Sequence, residues 1–364
     1  METKAAASKD IQQLAHRLYA VLQDFQLPPA EPIDPNQADI GPSIIRFKVR
    51  LERNQKLPQI QARAVDLQRE LSLTVIPRID NLPGTPFVAV EIPRPDPEIS
   101  PLSPILLKGV PADIGPLPIP VGVAPNGQVK WLSLASLPHL LVGGTSGSGK
   151  TRFLWSLLLS LRHLSPAGSV EWVLIDPKQT DFAIFNNWPE VRGGRVIIEP
   201  EEAVETLQEL LATELVSRTN LLRQYECVNL LEYRAKAEAP PLPFLVVVID
   251  EYADLVESLA KRERAGFELA VGRLAQRARN VGIHLVIATQ RPDSKIISGN
   301  LKNNLGGRIA FQLASGVDSR VVLDQNGAEN LLGQGDLLVK HVGAVQRMQG
   351  FFVTTDELRQ ERKA

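Results

Sequence analysis

The feature that most constrains this chain is the loop Gly144-Thr145-Ser146-Gly147-Ser148-Gly149-Lys150-Thr151, set between an apolar run that ends at Val142 and a helical pattern over residues 152–161. It matches G-x-x-x-x-G-K-[ST] in full and in the required strand, loop, helix order. Glycines let the backbone curl so that its N–H groups face a phosphate, and the helix that starts there adds the positive end of its dipole. The expected ligand is ATP with Mg²⁺. Lys150 should reach the β- and γ-phosphates and the Thr151 hydroxyl should bind the metal. Such a loop needs a strand to deliver it and a helix to leave it, which points to an α/β fold with a mostly parallel sheet.

The rest of the chain fits that expectation. From residue 140 onward, short β-rich runs alternate with long helical patterns, with strands expected at 139–142, 171–175, 196–198, 244–249, 283–288 and 308–313. The run FLVVVI at 244–249 is apolar throughout, as a central strand buried on both faces should be. Before the loop lies a different region. Residues 11–25 carry apolar positions at helical spacing and read as an appendage or docking helix, closed by Pro28, Pro29 and Pro32. Residues 43–51 alternate strictly, with Ile45, Phe47, Val49 and Leu51 on one face and Arg46, Lys48 and Arg50 on the other, a basic face read as solvated. A helix over 59–71 and strands at 73–76 and 87–92 complete a small α+β unit. Prolines crowd residues 93–125, which read as an extended linker. The expected division is 1–36, an N-terminal helix and linker; 37–108, the small domain; and 109–364, a RecA-like motor domain.

Three strand ends place polar groups beside the phosphate loop, at the edge where open α/β sheets bind ligands. Asp250-Glu251 follow the buried 244–249 run: Asp250 suits Mg²⁺ and Glu251 suits a general base for water, whereas without the loop they would read as a helix N-cap pair. Gln290 follows the 283–288 run and is a candidate γ-phosphate sensor, or a loop-capping amide. Asp176-Pro177-Lys178 suits a nucleotide or interface role and a plain turn equally.

Composition excludes several classes. One cysteine, Cys227, leaves no disulfide framework and reads as a packed core thiol. The histidines share no metal-ligand spacing, and no G-x-S-x-G elbow occurs. No stretch of about 18 apolar residues runs uninterrupted, so a cytoplasmic chain without an intrinsic membrane anchor is expected. Forty basic against 41 acidic residues give a net charge of -1, so any nucleic-acid contact must come from a local patch.

Several stretches together resemble the cytoplasmic motor of the FtsK/SpoIIIE family of DNA translocases, from about residue 41 to 353. They are Leu137-Pro138-His139-Leu140-Leu141-Val142, Leu174-Ile175-Asp176-Pro177-Lys178, Ile249-Asp250-Glu251-Tyr252-Ala253-Asp254-Leu255, and the longer segments 274–292, 307–324 and 327–338. The resemblance implies an ATP-driven translocase working as a homohexamer around double-stranded DNA. It implies an ATP site completed in trans by a neighbour's arginine, which matches Arg279 here. It also places Arg291, Lys302 and, less closely, Arg320 on DNA phosphates. Gly316 stands where the family usually has lysine. Neither membrane segments nor the family's winged-helix reader is matched, so a stand-alone motor brought to its substrate by some recruiting partner is expected. The alternatives are a secretion or packaging ATPase with the same motor core and a regulatory ring.

Overall fold

The computed structural model describes residues 2–362. Two hydrophobic cores organise them. The first is built on a four-stranded antiparallel sheet of β1 (Asp39–Ile40), β2 (Ile44–Arg50), β3 (Arg78–Asn81) and β4 (Phe87–Pro93), in the order β1-β2-β4-β3. Alternation in β2 turns Ile45, Phe47 and Val49 into this core, where they meet Val90 and Ile92 of β4. Helix α1 (Glu2–Asp24) covers the same face through Ile11, Ala15, Leu18 and Leu22, all buried. It is therefore an integral wall of the small domain and not an appendage.

Three expectations for this region need correction. The helix over 59–71 is two short ones, α2 (Leu57–Gln61) and α3 (Ala64–Glu70), interrupted at Ala62-Arg63. The strand expected at 73–76 lies instead at β3, because the turn at residues 82–86 fixes the hairpin register, Asn81 opposite Val88 and Arg78 opposite Glu91. The basic face of β2 is not a solvated one. Arg46 pairs with Glu91 at 2.7 Å and Lys48 with Asp39 at 3.0 Å, leaving Arg50 exposed.

The second core surrounds a nine-stranded sheet. Its parallel half runs in the order β11-β7-β10-β9-β8, from β7 (Leu140–Gly143), β8 (Val170–Ile175), β9 (Phe244–Ile249), β10 (Ile283–Thr289) and β11 (Gly307–Phe311). All six residues of β9 are buried. Helix α5 (Lys150–Leu164) packs against this sheet, and α9 (Tyr252–Ser258) and α10 (Lys261–Arg277) cover β10. Beyond β11 the sheet continues antiparallel through β12 (Asp336–Lys340), β13 (Gln346–Gln349), β5 (Pro118–Val123) and β6 (Val129–Ser133). One of these strands, β5, corrects the reading of residues 93–125 as linker, and the same segment holds helix α4 (Ser103–Lys108). Pro118 and Pro120 sit in β5 close to the sheet margin, where a missing N–H is tolerated. Residues 196–198 make only an isolated bridge, Ile197 to Ile175, and not a strand.

A buried charge chain joins the two units. Arg347 on β13 donates to both carboxylate oxygens of Asp336 on β12, at 2.9 and 2.6 Å, and lies 3.6 Å from Glu91 on β4, which also holds Arg46. Arg347, Asp336 and Glu91 are all buried. Cys227 is a buried free thiol. Among the described residues, no helix is long and apolar enough to cross a membrane.

Candidate nucleotide site

The phosphate loop leaves the carboxyl end of β7 and is tied down on both sides. Gly144 N–H donates to the Thr289 carbonyl (3.1 Å), and Thr145 donates through its N–H and hydroxyl to the Gln312 carbonyl at 2.9 and 3.0 Å. Gly149 takes a φ of +115° and caps α5, and a Cβ on it would lie 2.7 Å from the Gly335 nitrogen, so no other residue fits without moving backbone. Gly147 turns with a φ of +75°. The result is a rigid loop whose residues Thr145, Ser146, Gly147, Gly149, Lys150 and Thr151 line a cavity of about 910 Å³, large enough for a nucleotide. Ser148 is buried beneath it and bonds the Thr145 carbonyl.

Behind the loop, the strand-end carboxylates are in place. Lys150 Nζ donates to Asp250 Oδ1 (2.6 Å) and to the Asp250 carbonyl (2.8 Å), with both side chains almost fully buried. Burial pushes the Asp250 carboxyl up to about 6 against the pull of the Lys150 ammonium. Its other oxygen, Oδ2, is buried with no hydrogen-bond partner. Glu251 accepts from the Thr289 hydroxyl (2.7 Å) and from Gln290 N–H (2.8 Å), which locks its orientation. Gln290 lines the cavity, whereas Asp250 and Glu251 lie one layer behind its wall.

The donor set fits Mg²⁺. The Thr151 hydroxyl lines the phosphate cradle and an unpartnered buried oxygen of Asp250 lies behind its wall, and Mg²⁺ is commonly held by one or two protein oxygens, with substrate phosphates and water completing its shell. Among the described residues no group of three or more His, Cys, Asp or Glu side chains forms a cage of its own.

Sequence reasoning missed part of the wall. Asp181 accepts from the Thr151 hydroxyl at 2.5 Å, and Arg94, Pro97 and Ile99, from the segment joining the two units, close the cavity from above. No spacing signature marks these residues, because they reach the site through tertiary packing. Arg152 also lines it, stacked over Trp155 and Phe352.

The remaining candidates are scattered. Arg279 precedes β10, is exposed, and donates to the Ser136 carbonyl at 3.3 Å. β10 runs parallel to β7, so the seven residues of β10, about 20 Å, separate Arg279 from the phosphate loop at the other end of the sheet. Arg291 follows β10 at the loop's end, 70% exposed and 3.3 Å from Asp254. Lys302 lies toward the opposite end, paired with Asp324 at 2.7 Å, and Asp324 also holds Lys340 (2.7 Å) and Arg308. Burial opposes ionisation of Asp324, but these three cations hold its carboxyl well below the usual range. Arg320 is exposed on α12 (Gly316–Leu323) and donates to Asn326; Gly316 opens that helix. Arg291 and Lys302 thus stand toward opposite ends of the sheet, whereas the Arg320 carbonyl accepts the N–H of Asp324, the residue whose carboxylate pairs with Lys302.

Comparison with known proteins bears on the whole chain. The family model for the FtsK/SpoIIIE family matches residues 110–294, and that for the FtsK alpha domain matches residues 1–94. The DNA translocase FtsK of Streptococcus pneumoniae is 33% identical over 333 residues, 88% of this chain and 43% of the relative. That of Lactococcus lactis subsp. cremoris is 34% identical over 332 residues, again 88% and 43%. The chain thus spans about two fifths of the length of these relatives. Among solved structures, the pCW3 conjugation coupling protein TcpA, in a monomer form with ATPγS, superposes with a TM-score of 0.66 at 24% identity, over 96% of this chain and 99% of that one. The cytoplasmic domain of the Thermomonospora curvata type VII secretion ATPase EccC gives 0.61 at 25% identity, over 69% and 32%. With the phosphate loop, its strand-end carboxylates and both family domains in register, this chain is a P-loop ATPase that belongs to the FtsK/SpoIIIE family.

Proposed function

We propose that the chain hydrolyses ATP to drive double-stranded DNA through a ring of identical subunits. The observation that carries this reading is the placement of two half-sites on opposite ends of one sheet: the phosphate cradle at the carboxyl ends of β7 and β10, and the exposed Arg279 ahead of β10. Arg279 is too far to serve its own cradle, so its place is to stabilise charge on the phosphoryl group held by a neighbour stacked head to tail. Lys150 neutralises the β- and γ-phosphates, Glu251 takes the proton of the attacking water, and Gln290 on the cavity wall registers the γ-phosphate. Mg²⁺, held by Thr151 and Asp250, supplies charge neutralisation on the phosphates. The relatives named DNA translocase support the DNA substrate, and Arg291, far more exposed than Lys302, supports phosphate contact without sequence readout.

A second reading, a motor that moves protein, is favoured by two observations: Lys302 is neutralised by Asp324, and Gly316 offers no side chain. The steady-state ATPase rate with and without linear duplex DNA separates the two. Stimulation by duplex that is absent in Lys150→Ala and blunted in Arg291→Ala supports the DNA motor. An active wild type indifferent to duplex sinks it and leaves the protein motor.

A further inference from the structure

A hydroxyl that binds a metal does so through an oxygen lone pair, so its proton must be given to some other acceptor. At a phosphate loop, a carboxylate beside the metal is a natural acceptor. Here the strand-end carboxylate is engaged elsewhere: Asp250 Oδ1 holds Lys150 at 2.6 Å, and Oδ2 has no partner. The Thr151 hydroxyl instead donates to Asp181 Oδ2 at 2.5 Å.

Asp181 is held for this contact by its backbone. Asp176 follows β8 as Asp250 follows β9, one step beyond the registered pair Ile175 and Ile249. Fully buried, Asp176 accepts the N–H groups of both Asp181 and Phe182 through Oδ2, each at 2.9 Å. From the other side, the Asp181 carbonyl accepts Trp155 Nε1 of α5 at 2.7 Å. Asp181 itself is only half-buried and lines the nucleotide cavity. A side chain present for packing alone would not need three hydrogen bonds to fix its backbone and a fourth to a metal-binding hydroxyl.

We infer that Asp181 is a positioning residue for Mg²⁺: by taking the Thr151 proton it turns the threonine oxygen's lone pairs toward the metal, leaving Asp250 Oδ2 free to serve the same ion. This rests on the nucleotide reading of the site but not on DNA or on a ring.

The test is calorimetric titration of the full chain with ATPγS, once in EDTA and once in Mg²⁺, taking the ratio of the two Kd values as the metal's contribution. Loss of a partner that orients a metal ligand typically costs 10- to 100-fold in metal affinity. Asp181→Ala should therefore lower the ratio by about tenfold or more, with the Kd in EDTA and the thermal transition unchanged. Asp181→Asn, which keeps an acceptor oxygen for Thr151, should recover most of the ratio. A ratio unchanged in Asp181→Ala overturns the inference, as does a parallel loss of affinity in EDTA, which would mark Asp181 as merely structural. If wild type binds no ATPγS, the nucleotide reading itself falls.

Discussion

Acidification should loosen the motor domain through two histidines that the site does not use. His139, just ahead of β7, and His284 on β10 are buried with ring centroids 6.4 Å apart, each with an unpartnered Nε2. Burial lowers His139 from 6.5 to about 3, with the neighbouring His284 adding to the effect, and burial lowers His284 from 6.5 to about 4. The unfolded chain takes up protons below about 6.5 and the folded chain does not, so this part of the stability is full above pH 6.5 and drains as the pH falls toward the folded values. Between pH 7 and pH 5 each histidine removes about 2 kcal/mol, and the pair about 4 kcal/mol. Asp250, raised to about 6, acts in the opposite sense and returns about 1 kcal/mol over the same interval. The assay is urea unfolding at pH 7 and pH 5, beside His139→Asn with His284→Asn. Asparagine reproduces the Nδ1 contacts, in which His139 accepts from Leu285 N–H (2.9 Å) and His284 bonds the Pro138 carbonyl (3.1 Å). Wild type should lose about 4 kcal/mol more than the double variant on acidification. Equal pH responses in the two proteins would refute the reasoning.

Other expectations follow from the same geometry. Arg279→Ala should cut kcat by about a thousandfold while leaving the Kd for ATPγS unchanged, because this arginine is remote from its own cradle; weakened binding by the isolated subunit would contradict that placement. Arg347→Met strands the buried carboxylates of Asp336 and Glu91, and denaturant titration should register a loss of about 3–5 kcal/mol. Arg291→Ala should lower the salt slope of duplex binding by about one, whereas Lys302→Ala should change it less, since Asp324 already holds that ammonium. Equal slopes for the two variants would show that the Asp324 pairing yields to phosphate.

What was legible in the sequence was whatever is local. The phosphate loop, the buried run of β9 and the carboxylates that follow it are consecutive residues whose chemistry is readable in place. β12 and β13 were not read at all, because they are short and their burial depends on a sheet assembled from distant segments. β3 was misplaced because hairpin register outweighed the apolar run at 73–76. α1 looked detachable because the core it shares with Phe47 and Val90 is completed by strands that sequence alone does not bring to it. At the site, Asp181 lies 30 residues from the hydroxyl it holds, and only the fold sets that distance.

The cavity has walls from both units: the phosphate loop on one side, and Ser43, Thr74 and Pro93 of the small domain with Arg94, Pro97 and Ile99 of the connecting segment on the other. A molecule seated between two bodies acts as a removable cross-link, and its contribution to holding them in this arrangement grows by RT ln(1 + [L]/Kd) as its concentration rises above Kd. At a hundredfold excess over Kd that amounts to about 2.7 kcal/mol, comparable with the loss of a buried ion pair such as that of Arg347. A nucleotide seated there would let the small domain read its occupancy through the surface that the domain shares with the cradle.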